Sequence, residues 1–237
     1  MAVARGVLTR GGRDRGESDR SVDPRGLRRV VDIALAIVFT LVMATALIED
    51  VAHEYLGIAA FVLVIVHQAL NRVWWRALRR GRYAPRRLLS AAVNIALVGC
   101  VLALMASSVV VSFHAFGWLP AIPGAWWART AHLAGSYWAF ICAFVHAGFH
   151  AQPVLARAIR AGGERRAVAV AALAAFAVAG GIFAIQLDVP LYATLGSPFV
   201  FVDASVPLAV RFAQWACVGM LLAELGAAVW TLADARR

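Results

Sequence analysis

Six apolar stretches, each about as long as a membrane is thick, constrain this chain more than any other feature of its sequence. A bilayer core of about 30 Å requires roughly 20 apolar residues in a helix. The stretches lie at approximately 31–49, 53–73, 88–113, 131–152, 166–187 and 207–232. Charged residues make up only 15% of the chain, against about 25% in a soluble domain. The sequence therefore predicts an all-α membrane protein with six transmembrane helices in contact with lipid.

The placement of arginine predicts how these helices are oriented. All 23 basic residues are arginine, and all but Arg129 and Arg211 lie in the N-terminal tail, the 72–87 loop, the 157–166 loop or the C-terminus. Positively charged segments stay on the cytoplasmic side, so we expect both termini to be cytoplasmic. The net charge of +10 is clustered between apolar runs, so it indicates loops beside an anionic membrane and not nucleic-acid binding. Arginine without lysine, together with abundant alanine, is typical of a GC-rich genome, so we expect the cell membrane of a bacterium.

Three regions follow from this pattern. Residues 1–30 are rich in Arg, Gly, Asp and Ser, a composition typical of a disordered cytoplasmic tail. Residues 31–155 contain the first four apolar stretches and are predicted to form a four-helix membrane bundle. Residues 156–237 contain two additional transmembrane helices, which we expect to pack alongside that bundle, and a short C-terminal tail.

Four histidines inside the apolar stretches form two matched pairs. His53 and His67 lie 14 positions apart in the second stretch, as do His132 and His146 in the fourth. In a helix, 14 residues return a side chain to within about 40° of the same face and about 21 Å further along the axis. The second and fourth helices run in the same direction in the predicted topology. We therefore expect His53 to face His132 near the outer surface and His67 to face His146 near the inner surface.

Paired imidazoles at two depths are what two stacked b-type haems require, because imidazole is a common axial ligand of haem iron. The chain lacks a C-x-x-C-H motif, so covalent attachment is not expected. For any single membrane histidine, a hydrogen bond to a neighbouring helix is an equal alternative. The matched spacing on two parallel helices favours haem for the set, and intramembrane ionisable residues point to function. The sequence predicts two non-covalent haem b groups, one for each pair.

Three further residues are candidates for the outer site. Gly57 and Gly135 follow the two outer histidines and leave room for a flat macrocycle, although glycine is also common where membrane helices pack. Arg129 precedes His132 by one helical turn on the arginine-poor side. Its guanidinium could pair with haem propionates, since it matches a carboxylate with two hydrogen bonds.

His150 is a second candidate at the inner site. It lies one turn beyond His146 and five whole turns from His132, so helical facing does not exclude it as a ligand. Its depth, about 27 Å from His132, exceeds the roughly 21 Å between the partner histidines. We therefore expect His146 to be the ligand and His150 to bind a propionate or serve entry of protons or electrons.

The segments HEYLGIAAFVLVIVHQALNRVWW, from His53, and HLAGSYWAFICAFVHAGFH, from His132, resemble the flavinylation-associated membrane cytochromes, within the wider four-helix di-haem cytochrome b group. The resemblance covers roughly residues 31–155. It implies a four-helix bundle with two haems, and by position it implies the ligands His53, His67, His132 and His146, with His150 as an extra cluster member. It also implies electron exchange with an extracytoplasmic flavoprotein or reductase. The sequence has no dinucleotide-binding glycine motif, so flavin chemistry is expected to belong to a partner.

The predicted function is transmembrane electron transfer by a subunit of an oxidoreductase system, with a flavoprotein, a reductase or the quinone pool as partner. A quinone-linked cytochrome b subunit of a dehydrogenase or hydrogenase shares the haems and differs only in its partner. A histidine-lined transporter or a non-haem membrane anchor is an alternative from a different class. Transporters often have broken helices or internal repeats, and neither is obvious in this sequence.

Overall fold

The computed structural model describes residues 23–46, 48–78, 84–120, 122–197 and 199–234. Throughout these ranges the chain is helical or irregular, without a β-strand. Its helices are α1 (Pro24–Thr45), α2 (Asp50–Leu70), α3 (Arg72–Leu78), α4 (Pro85–Val111), α5 (Ala125–Arg160), α6 (Gly163–Gln186), α7 (Val189–Ala193) and α8 (Leu208–Leu232).

Five of these helices, α2, α4, α5, α6 and α8, are long and apolar enough to cross a membrane. They correspond to five of the six predicted spans. The all-helical prediction is therefore confirmed for the described residues, and these five helices are candidates to cross a membrane. Among the described residues, α1 is the predicted span that does not meet the same measure. Arg28, Arg29 and Asp32 lie in its first half, which shortens its apolar part.

The first helix begins earlier than the sequence indicated. Asp23 caps α1, because its carboxylate accepts hydrogen bonds from the backbone N–H groups of Arg25 at 3.0 Å and Gly26 at 3.1 Å. Such a cap satisfies N–H groups that have no partner within the helix. The predicted disorder of residues 1–30 is therefore wrong for 24–30, while residues 1–22 lie outside the described part of the chain. The predicted 72–87 loop likewise begins with a short helix, α3.

Helix α5 is the centre of the packing. It contacts α4 along one side and α8 along another, while α6 packs chiefly against α8. Helix α1 packs against α2 and α8, and among the described helices α1 is the one extensive neighbour of α2. The sequence placed both final helices alongside a bundle of the first four. Instead, α6 packs chiefly against α8, and α8 contacts both α1 and α5, so α8 belongs to the centre.

Glycines permit the close approach of α5 and α8. A Cβ added to Gly148 would lie 2.1 Å from the backbone oxygen of Ala223, and one added to Gly226 would lie 2.3 Å from that of Val145. Side chains cannot be accommodated at such distances, and small residues are typical where membrane helices cross closely. The same pair of helices also contributes the buried aromatic side chains Phe140 and Trp215, whose ring centres are 5.1 Å apart.

Candidate functional site

The four predicted histidines meet in two pairs across the gap between α2 and α5. The ring centres of His53 and His132 are 6.1 Å apart, with 66° between the ring planes. Those of His67 and His146 are 6.4 Å apart, with 81° between the planes. The predicted spatial pairing, and with it the parallel course of α2 and α5, is confirmed.

Both distances suit two imidazoles that share one metal ion. For two rings on opposite sides of the ion, a metal–nitrogen bond of about 2.0 Å, with about 1.1 Å from nitrogen to ring centre, gives roughly 6.2 Å between ring centres. Edge-to-face contact of two rings covers a range of about 4.5–7 Å and includes the same values. Distance alone therefore does not separate a shared metal ion from simple ring contact. The directions in which the ring nitrogens point do separate them.

Helix α1 fixes that direction for both histidines of α2. The Nδ1 atom of His53 lies 3.0 Å from the backbone oxygen of Val42, in the last turn of α1, where carbonyls lack a backbone N–H partner within the helix. The Nδ1 atom of His67 lies 2.8 Å from a carboxylate oxygen of Asp32. Both acceptors take a proton from Nδ1, which leaves Nε2 with a free lone pair. Because the two nitrogens lie on either side of Cε1, each Nε2 points away from α1.

His132 is oriented by α4 in a similar way. Its Nδ1 atom lies 3.3 Å from the hydroxyl oxygen of Ser107 and 3.4 Å from that of Ser108. The Ser107 hydroxyl already donates to the backbone oxygen of Ala103 at 2.7 Å. In this arrangement it accepts from the Nδ1 of His132, and in that tautomer Nε2 again has a free lone pair. Metal-bound histidines generally donate their other ring N–H to such a partner.

The inner site contains a third imidazole. The ring of His150 is 4.7 Å from that of His146, and it is exposed whereas His146 is half-buried. Among the described residues, the ring contact of His67 across the gap is with His146. The Nδ1 atom of His146 is buried and has no hydrogen-bond partner in the described part of the chain. The geometry therefore places His150 beside the inner pair, next to the ring that faces His67.

A cavity of about 810 Å³ opens beside the outer pair, within the range of about 300–1,000 Å³ typical of cofactor sites. His53, His132, Gly57 and Arg129 all line it. A Cβ added to Gly57 would meet nothing within 4 Å, so this glycine leaves open space in the site as predicted. Gly135 is different: a Cβ there would lie 3.4 Å from the side chain of Leu104 on α4. The structure thus favours the packing alternative for Gly135.

Helix α8 adds an arginine to this cavity that the sequence reasoning gave no role. The side chain of Arg211 is 6% exposed, and its Nε atom is buried without a hydrogen-bond partner among the described residues. One of its terminal nitrogens donates to the backbone oxygen of Asp203. Two hydrogen bonds from Ser205 lower the pKa of the Asp203 carboxyl group, which keeps this exposed carboxylate charged near Arg211. The predicted Arg129 lines the same cavity but is exposed.

Glu54 ties α2 to the chain that follows α4. Its carboxylate accepts a hydrogen bond from the hydroxyl of Ser112 at 2.6 Å and from the backbone N–H groups of Phe113 at 2.9 Å and Ala115 at 2.7 Å. These bonds satisfy donors just beyond the end of α4. They also hold the outer end of α2 across the gap from α5, one residue after His53.

Four side chains that were not predicted from the sequence bond to the paired histidines or line the outer cavity: Asp32, Ser107, Arg211 and Glu54. Asp32 carried a usable signal, because it is an acidic residue within an apolar helix at the depth of His67. Arg211 was visible as one of two outer arginines, but nothing in the sequence showed that α8 reaches the outer histidines. Ser107 could not be distinguished from other serines in apolar helices.

Within the described residues, no group of three or more His, Cys, Asp or Glu side chains is arranged to hold a metal ion. Each histidine pair offers two imidazoles. No family model, curated protein or solved structure matches the chain.

Proposed function

We propose that the protein is an integral membrane b-type cytochrome that carries electrons across the membrane through two bis-histidine haems. The observation that carries the proposal is the pair of imidazole couples, with ring centres 6.1 and 6.4 Å apart. Their depths differ by about 21 Å along the helix axis. Haem, when bound, supplies iron that cycles between the ferrous and ferric states by one electron.

The residues present fit haem at the outer site. His53 and His132 each offer a neutral Nε2, because their Nδ1 atoms bond to a carbonyl and a hydroxyl. Gly57 leaves space in the cavity beside them. The buried, incompletely paired Arg211 and the exposed Arg129 would bind the propionates, since a guanidinium pairs with a carboxylate through two hydrogen bonds.

The inner site fits haem through His67 and His146. The hydrogen bond to Asp32 orients His67 and frees its Nε2, and the carboxylate makes the ring a stronger donor. His146 would be the opposite ligand, because its ring, and not that of His150, faces His67 at the bis-imidazole distance. His150 would then lie beside the haem, where it could bind a propionate.

The chain's own contribution is to position two one-electron centres and to exclude water around them. The helices fix both histidine pairs without any bond that must change when an electron arrives, so conduction needs no movement of the protein. The ring edges of two such groups lie closer than the roughly 20 Å between the pairs along the axis. A subunit of this kind passes electrons to a partner and catalyses no substrate reaction alone.

We include α1 as a sixth span in this proposal. It contacts His67 through Asp32 and His53 through Val42, so it extends over the same depth as the part of α2 between its two histidines. Six spans, together with the clustered arginines, would support cytoplasmic termini. The resemblance to flavinylation-associated cytochromes favours an extracytoplasmic flavoprotein or reductase as partner, with the quinone pool as the other candidate. The cell membrane of a bacterium is the proposed location.

The direct test is the difference spectrum of the detergent-purified protein, reduced with dithionite minus oxidised. The proposal predicts the sharp α-band of a six-coordinate b-type haem. His53→Ala should remove the outer contribution and His67→Ala the inner one, each halving the haem content. His114→Ala is the matched control, because this exposed histidine belongs to neither pair, and it should leave the spectrum unchanged. Equal haem content in all three variants would contradict the proposal.

A further inference from the structure

The two histidine pairs differ in the groups that receive their Nδ1 protons. At the inner pair, the acceptor for His67 is the carboxylate of Asp32, at 2.8 Å. At the outer pair, the acceptors are neutral: a backbone carbonyl for His53 and a serine hydroxyl for His132. We infer that the inner site has the lower reduction potential, that electrons therefore pass from the arginine-rich face towards the opposite face, and that Asp32 sets this direction. This inference rests on the proposed function.

The physical reason at the inner site is the charge shared along the hydrogen bond. A carboxylate that accepts the Nδ1 proton draws it away from the ring, so His67 becomes a more basic ligand through Nε2. A more basic ligand stabilises ferric iron over ferrous iron, which lowers the potential. Asp32 is about half exposed, at 53%, so its effect comes mainly through this direct bond and not through a long-range field. Asp32 is thus a positioning residue that acts through His67.

The charges around the outer site act in the opposite sense. Arg211 is the buried charge that lines the outer cavity, and its positive charge favours the reduced, less positive state of an adjacent centre. The cavity is also lined by acidic side chains, but Asp50, Asp188 and Asp203 are exposed to water and are screened. The carboxylate of Glu54 also stays charged, because the hydroxyl and N–H groups beyond α4 bond to it. It accepts no Nδ1 proton from either outer histidine, so it opposes Arg211 only through space. The arginines on the inner face, such as Arg28 and Arg72, are exposed and screened in the same way.

The proposed transfer moves one electron from the inner site to the outer site and requires no proton. His67 and His146 would hold the haem that gives up one electron, and His53 and His132 would hold the haem that takes it up, so the oxidation of one iron would be balanced by the reduction of the other. A reduced flavin or a quinol supplies the electron at the arginine-rich face. An oxidised flavoprotein or reductase accepts it at the other face.

Spectroelectrochemical titration of the purified, haem-loaded protein tests the order directly. His132→Ala should leave the inner centre and His67→Ala the outer one, so each potential can be assigned to its site. The inference predicts that the centre left by His132→Ala has the lower potential, by at least tenfold in the one-electron equilibrium, or about 59 mV. Equal potentials, or the reverse order, would overturn it.

Asp32→Asn tests the residue itself. It should raise the reduction potential of the inner centre by at least about 59 mV, which is tenfold in the one-electron equilibrium, and leave that of the outer centre unchanged. Asp32→Glu keeps the carboxylate, so it should keep the inner potential low. Glu164→Gln is the matched control, because it removes an exposed acid at the start of α6, a helix without extensive contact to α1 or α2. If Asp32→Asn and Glu164→Gln titrate alike with both haems bound, the inference is wrong. If Asp32→Asn loses the inner haem, the inference is decided by which of the variants His132→Ala and His67→Ala has the lower reduction potential. A wild-type protein without haem would instead defeat the proposed function.

Discussion

Helix α5 packs against α4 on one side and α8 on another, whereas α2 packs extensively against α1 alone among the described helices. Yet each of these two helices supplies two histidines to the facing pairs. The difference shows that the candidate site lies between a tightly packed helix, α5, and a loosely packed helix, α2. Close helix crossings hold the histidines of α5 in place. Polar bonds from Val42, Asp32 and Glu54 set the position of α2, so small changes near α2 should affect the site more than the fold.

The largest effect is expected where α5 crosses α8. Gly148→Leu would place a Cβ about 2 Å from the backbone oxygen of Ala223, and a backbone atom cannot move aside as a flexible side chain can. Overpacking of this kind costs about 3 kcal/mol or more. The protein should lose its cooperative thermal unfolding in detergent and elute as an aggregate. Gly181→Ala, where a Cβ meets nothing within 4 Å, is the control and should behave as wild type. Equal melting temperatures for the two variants would contradict the close crossing.

The next largest effect should come from a change on α2, and it should alter the haem content and not the stability. Gly57→Leu meets no neighbour within 4 Å at its Cβ, so the protein should fold with an unchanged melting temperature. Its side chain would fill the cavity between the outer histidines, and the haem content should fall from two per chain to one. Gly99→Leu, also in open space but on α4, should keep both haems. If Gly57→Leu retained two haems, the cavity would not be the outer haem site.

A smaller effect is expected from the tether at Glu54. Glu54→Ala removes the acceptor of the N–H groups of Phe113, which is exposed, and Ala115, which is half-buried. Water can replace part of this acceptor, so the change should cost about 1 kcal/mol. The melting temperature should fall, and hydrogen exchange should increase at the outer end of α2. Glu49→Ala changes an exposed glutamate that makes no cap bond to the same helix. An equal fall in both variants would show that Glu54 is not a specific tether.

The smallest effect should come from the orientation of His132. Ser107→Ala removes the hydroxyl 3.3 Å from its Nδ1 atom, a bond worth about 1 kcal/mol. Haem should leave the outer site for apomyoglobin about fivefold faster, as 1 kcal/mol implies. Thr40→Val is the control, because this buried threonine bonds only to the backbone oxygen of Ala36. If the two variants released haem at the same rate, Ser107 would have no role in holding His132.

The parts of the site that follow helical periodicity could be predicted from the sequence. The 14-residue spacing fixes both the facing and the depth of two histidines on one helix. The parallel course of α2 and α5 follows from the order of the spans, so the partners of His53 and His67 could be named in advance. The five helices that are long and apolar enough to cross a membrane were equally visible in the sequence, because apolar length alone identifies them.

The parts that depend on contacts between distant segments could not be predicted. Asp32 reaches His67 only because α1 lies along α2, and the sequence does not specify which helices are neighbours. Arg211 reaches the outer cavity only because α8 packs against α5 through glycines such as Gly226. The same limitation explains Gly135, where a glycine near a predicted ligand serves the contact with α4. The start of α1 was missed for a local reason, since the cap at Asp23 lies in a stretch with a disordered composition.

The number of haems bound per chain tests the central claim most directly. The wild-type protein, purified from cells grown with ample iron and haem precursor, should contain two haems per chain in the pyridine haemochrome assay. The double variant His53→Ala/His67→Ala should contain none while remaining folded, because both changes lie on the lightly packed α2. A folded wild-type protein that contains no haem would contradict the account.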